Sequence, residues 1–205
     1  MKKGSVLIAI FIFLTSAAVA VPERAGKSDF GINVSAFLPG DGDIDNAAAV
    51  GGNISYSFNN HLAWGISSSW AQADFDAHTA AGAKVSGSKV KPIPIFFDLI
   101  LRPWTGDQPV APYATMGLGA VIANVEGTGV LNDNNLQAQS NSDFAFRMGG
   151  GLEWFVTENW SYYLEGTYVF TGAGVDIVSS ATNQKIETQG LDGWYLGGGV
   201  KYLFD

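Results

Sequence analysis

Six charged residues stand in segments otherwise nearly free of charge: Asp98, Arg102, Arg147, Glu153, Glu165 and Lys201. Each lies between apolar, aromatic or glycine neighbours in a run whose large apolar residues recur at every second position. That period places all six charges on the face opposite the apolar one. Charges confined to a narrow interior must be paired. Two uses follow: a polar core that fixes strand register, or a gate whose ion pairs exchange to open a thin water path. By chain direction, Glu153 and Glu165 flank the short link at 157–159, and Lys201 lies close to the C-terminus. Asp98 and Arg102 approach another short link at 103–109. These five are expected near one end, with Arg147 roughly 20 Å from Glu153 at about 3.3 Å per residue.

Pro92 and Pro94 suggest a second kind of site. Neither has an N–H, and residues two apart bond to the same neighbouring strand, so two ladder bonds are lost on one side. The loss makes a candidate opening in the wall; the alternative is a strand that begins only after Pro94. Asp41, Asp43 and Asp45 resemble the start of a calcium loop and form a weak divalent-cation candidate. The sixth position lacks the required Gly, and the twelfth is Gly52 where a bidentate Glu is needed. A solvated acidic loop is the competing reading. Hydrolytic chemistry would need His beside Ser and a carboxylate, yet only His61 and His78 exist, in a tight turn and a long loop. No enzyme activity is expected. No cofactor is expected either: Gly149-Gly150-Gly151 sits inside a strand, with no helix after it to cradle a phosphate.

The elements that must carry these residues are strands. From Trp194 to Phe204, alternate positions read Trp194, Leu196, Gly198, Val200, Tyr202 and Phe204. Such a face, aromatic at both ends and apolar or small between, suits a strand with one side in lipid. Seven more segments repeat the pattern. They place Phe30–Leu38, Val50–Phe58, Leu62–Trp70, Ile93–Leu101, Ala114–Ile122, Phe144–Val156 and Trp160–Phe170 outward at alternate positions. Short links at 59–61, 103–109 and 157–159 alternate with long polar ones at 39–48, 74–88, 126–142 and 172–189. The opposite set is mostly Gly, Ser, Asn, Thr and Ala. It is too small to fill an apolar core, which argues against a soluble barrel with the faces exchanged.

Lys2 and Lys3, an apolar run from Val6 to Leu14 and Ala18-Val19-Ala20 read as a secretory signal peptide, cleaved before Val21. Its removal leaves nine basic and 19 acidic residues. A net negative chain without basic clusters is not a nucleic-acid binder. With no Cys there are no disulfides. A membrane sheet must close on itself, because lipid satisfies no backbone group.

Together, Pro112-Tyr113 leading to Gly117-Leu118-Gly119, the run Phe146 to Glu153, the hairpin Thr157 to Ser161 and the closing Gly199 to Phe204 resemble the small outer-membrane barrels of the OmpA-barrel, OmpX and OmpW group. The fold expected is all-β, an eight-stranded antiparallel transmembrane up-and-down β-barrel over 21–205, after a leader at 1–20. The resemblance implies the bacterial outer membrane, contact with its lipid and lipopolysaccharide, and recognition of the Trp194–Phe204 strand by the assembly machinery. Asp205 departs from the expected terminal Phe. The function expected is porin-like passage of small solutes or a structural role. The alternative is surface binding or adhesion through the long external loops. A similarity to the OmpW-like proteins would let an apolar solute leave sideways at Pro92 and Pro94.

Overall fold

The pleat turns each period-two segment into a strand with a lipid face and an inner face. The computed structural model describes residues 20–79, 84–103, 109–126, 131, 136–180 and 184–205, so nearly all of the expected leader lies outside the described residues. Twelve strands follow in order: β1 Ser28–Pro39, β2 Ala47–Ser57, β3 Leu62–Ala71, β4 Ala73–His78, β5 Lys84–Leu101, β6 Val110–Glu126, β7 Leu136–Asn141, β8 Asp143–Phe155, β9 Trp160–Thr171, β10 Gly174–Ser179, β11 Lys185–Gly190 and β12 Gly193–Phe204.

Eight of these make the wall, in the order β3-β2-β1-β12-β9-β8-β6-β5, and β5 returns to β3 to close it. All neighbours are antiparallel. β12 pairs with β1 from Ser28↔Phe204 to Pro39↔Gly193, so first and last strands seal the barrel along their whole length. The end carrying the termini has the tight turns and is the periplasmic end; the other is external.

Phe30, Ile32, Val34, Ile54, Phe97, Leu118, Leu164 and Leu196 lie exposed on the outside, as the periodicity predicts. Aromatic side chains collect at both rims of this band. Trp160 meets Tyr202 at 4.9 Å near the periplasmic rim, and Tyr168 meets Trp194 at 5.2 Å near the external one. Such girdles suit the two membrane interfaces.

Two expectations are corrected. The stretches 74–88, 126–142 and 172–189 are not loops throughout: β4 continues β3 and pairs with β5, while β7, β10 and β11 form a separate three-stranded sheet. Their polar composition hid a ladder stabilised by backbone bonds, which composition does not report. The interior is not uniformly small and polar either. Among the described residues its external half is an apolar cluster that includes Ile44, Phe75, Val90, Val175, Ile177 and Leu191. Much of that cluster comes from stretches that read as loops.

Candidate functional site: the lumen and a gap in its wall

The inner charges occupy two levels. At the upper one, Arg147 donates from Nε to Asp98 Oδ1 and from Nη2 to Asp98 Oδ2, both at 2.7 Å. Ser67 donates to the same Oδ2 at 2.7 Å. The Arg147 guanidinium also lies over the Phe96 ring at 5.1 Å. Asp98 was expected with the periplasmic group. Antiparallel register instead sets it level with Gly117 on β6, and Gly117 level with Arg147 on β8.

The lower level closes the periplasmic end. Glu153 accepts a hydrogen bond from Ser161 at 2.5 Å and pairs with Arg24 at 2.9 Å. Lys201 stands 3.9 Å from its other oxygen and caps the Tyr163 and Tyr113 rings at 4.7 and 5.0 Å. Arg102 faces Asp29 at 3.7 Å, and Asp29 accepts from Ser55 at 2.7 Å. All five ionised groups are buried. Three cations thus share two carboxylates in a space where unpaired charge is costly. Glu165 stands apart from this cluster and accepts from the Tyr113 hydroxyl at 2.9 Å.

Arg24 and Asp29 escaped the sequence reading. Asp29 has the inward parity of β1, so one more step of the period before Phe30 would have found it. Arg24 belongs to no strand. Gly26, at φ 78°, turns the N-terminal segment back across the barrel mouth. Its N–H donates to the Ser57 carbonyl at 2.8 Å. Arg24 then packs over Phe155 at 4.7 Å. A positive φ favours Gly, and here Gly is present.

Between the levels lies a cavity of about 60 Å³, lined by polar groups including Asn33, Asn53, Ser67, Thr115 and Glu165. One water needs roughly 15 Å³ on this measure, so a few would fit. The apolar cluster lies above, the five-charge cluster below.

The prolines sit inside a continuous β5, contrary to the alternative that the strand starts after Pro94. The β5–β6 ladder runs unbroken through Pro92↔Ala123 and Pro94↔Val121. On the opposite side the ladder stops at Ser68↔Ile95 and resumes at Ala73↔Val90. The two missing donors therefore face β3 and β4. Residues 69–72 and 91–94 flank a gap in the wall pairing, and Ser69 and Pro94 also line the cavity.

Asp41, Asp43 and Asp45 do not converge on a common point. Asp41 accepts from the Asp43 and Gly190 N–H groups at 3.1 and 3.3 Å, and Asp45 is exposed. Asp43 instead turns toward His78, 3.9 Å away. His61 Nδ1 is 2.9 Å from the Arg102 carbonyl.

A barrel with apolar outer wall, aromatic rims and paired inner charges is matched over residues 5–204 by the model of the outer membrane protein beta-barrel domain. The chain belongs to that family. It is a protein of the bacterial outer membrane, with membrane lipid around its wall. The outer membrane protein OprG of Pseudomonas aeruginosa is similar in structure, with a TM-score of 0.72 at 15% identity over 90% of this chain and 99% of that one. Neisserial surface protein A gives 0.57 at 14% identity, over 88% and 98%. The outer membrane protein W of E. coli gives 0.55 at 13% identity, over 88% and 99%. At these identities the likeness is one of fold. No curated protein matches this outer-membrane barrel by sequence.

Proposed function

We propose that this barrel passes small apolar solutes passively, from its apolar external half sideways through the Pro92–Pro94 gap into the membrane. The observation that carries the reading is the interruption of the β3–β5 ladder between Ser68↔Ile95 and Ala73↔Val90. It adjoins apolar inner residues such as Val90 and Phe96. Straight passage to the periplasm is opposed by the Arg24, Asp29, Arg102, Glu153 and Lys201 cluster, whose ion pairs act as a closed gate. An apolar solute need not cross that cluster, because the lipid beside the gap receives it.

The barrel works without enzymatic chemistry: among the described residues neither His61 nor His78 is hydrogen-bonded to a Ser that it could activate as a nucleophile. The reading includes removal of the leader 1–20, lipopolysaccharide at the external rim, and presentation of Trp194–Phe204 to the assembly machinery. The test is uptake of a small apolar dye by liposomes carrying the refolded mature barrel. Replacing both Pro92 and Pro94 with Thr is expected to reduce uptake severalfold; equal uptake overturns the lateral route.

A second reading rests on the external sheet of β7, β10 and β11, which offers a backbone platform for surface binding or adhesion. Deleting residues 174–190 separates the two, because adhesion is then lost while the wall gap remains. A barrel showing neither property is a structural component of the membrane.

A further inference from the structure

Three external segments bring one ligand atom each to a common point. Asp43 comes from the β1–β2 link, His78 from the end of β4 and Glu187 from the middle of β11. Their ligand atoms all lie within 4.8 Å of one another. His78 Nδ1 is 3.5 Å from Glu187 Oε2 and 3.9 Å from Asp43 Oδ2. These separations are too long for good hydrogen bonds. Ligands held at about 2.0–2.1 Å around a tetrahedral ion stand roughly 3.4 Å apart, so small side-chain rotations close the set.

Among the described residues no lysine or arginine forms an ion pair with Asp43 or Glu187, whose salt-bridge partner is His78. Glu187 Oε2 is buried without a hydrogen-bond donor. Two residues along the same strand, Gln189 is fully buried, and its Oε1 likewise has no donor. Its Nε2 donates to the Asp76 carbonyl, which ties β11 to β4 two residues from His78. Lys84, opposite His78 across the hairpin, is committed to Asp76 at 2.5 Å. The third segment is docked as well: Asp76 N–H donates to the Asp43 carbonyl at 2.9 Å, and Asp45 N–H to the Asp74 carbonyl at 2.8 Å. The set is therefore preorganised, and although Glu187 Oε2 itself is buried, the three side chains remain about a quarter to a third exposed.

We propose that Asp43, His78 and Glu187 bind one divalent first-row transition ion, Zn²⁺ fitting best, which clasps the three external segments over the apolar interior. An imidazole nitrogen with two carboxylates suits such an ion, whereas Ca²⁺ and Mg²⁺ favour all-oxygen sets. The fourth position is left to water.

The test is calorimetric titration of the refolded full barrel in micelles with Zn²⁺, with Co²⁺ absorption as a second readout. One equivalent is expected, weakened at least about tenfold in His78→Ala and in Glu187→Gln and unchanged in His61→Ala. The Co²⁺ spectrum of the wild type should be lost in His78→Ala. Each variant is checked for folding by its shift in gel mobility on heating, and a misfolded one is replaced by Asp43→Asn. No saturable binding by the folded wild type overturns the site. So does Zn²⁺ binding that survives these substitutions, which would leave His78 as a plain ion-pair partner. Equal binding of Ca²⁺ overturns the class of ion.

Discussion

Arg147 reaches Asp98 across an intervening strand, because Gly117 lies between them without a side chain. The three are in register on β8, β6 and β5. A Cβ at Gly117 would overlap Asp98 Oδ1 and crowd Arg147 Cγ at 3.2 Å. The glycine thus makes room for a two-bond fork. Asp98→Ala leaves the arginine unpaired inside the barrel and is expected to destabilise it by about 3–5 kcal/mol. Gly117→Val should approach the same loss by forcing the pair apart. Urea unfolding from lipid vesicles checks both, and a midpoint unchanged in Asp98→Ala would show that the pair contributes nothing net.

The periplasmic cluster predicts a conductance phenotype. Arg24 comes from the segment ahead of β1 and pairs with Glu153, so the N-terminal segment is part of the closure. Arg24→Ala removes one of three buried cations and unfastens that segment at its inner end. Ionic conductance in planar bilayers is expected to rise severalfold while the barrel stays folded. Glu165→Gln and Lys201→Met should also change conductance, through the Tyr113 and Tyr163 contacts on the cavity floor. If all three variants conduct like the wild type, the charges are a structural core and no gate.

The wall was legible in the sequence because its signal is geometric. Period two sorts Phe97 from Asp98 and Leu152 from Glu153 whatever their tertiary partners are. Partners were not legible, since they depend on register between strands distant in sequence. Asp98 read as a neighbour of Arg102 on the same strand, but its partner Arg147 is 49 residues away. The apolar external core was missed for a related reason: Phe75, Val175 and Ile177 sit among Asp, Ser and Gly that marked their segments as loops. Strand pairing there comes from the backbone and from burial on one face only.

Acid should loosen the external hairpins before the wall. The hydrogen bond from Lys185 lowers the Asp176 carboxyl below its ordinary value; burial opposes this, and Thr188 and the lysine charge add to it. At Asp76 burial pushes the carboxyl up, but hydrogen bonds from Lys84 and Ser86 prevail and the net direction is down. A carboxyl lowered on folding stabilises above its unfolded value near 3.8, and the benefit disappears as pH falls through the lower folded value. Solvent screens the Asp176–Lys185 pair, so its contribution is below about 1 kcal/mol. Amides of β10 and β11, after correction for intrinsic rate, should lose protection below about pH 4 while those of β12 do not. Asp176→Asn should remove most of that pH dependence for β10 and β11.

The wall gap predicts a local defect in protection that its own sequence can repair. Residues 69–72 lie opposite Lys91–Pro94, where the β3–β5 and β4–β5 ladders leave no pairing. A backbone group without a partner in the wall is expensive beside lipid, and two prolines remove the donors that would have matched it. Trp70 pairs with Val50 on β2, but the Ser69 and Ala71 amides point toward Pro94 and Pro92. These two should therefore exchange much faster than that of Ser67, which is paired with Phe96. Pro92→Thr with Pro94→Thr restores two N–H groups on the β3 side without altering the intact β6 ladder. In that variant, exchange at Ser69 and Ala71 should slow by at least tenfold, about 1.4 kcal/mol of local stability. Unchanged exchange would mean that barrel curvature, rather than the missing donors, holds the strands apart there. The lateral route would then have to be sought in side chains such as Trp70 instead of in the backbone.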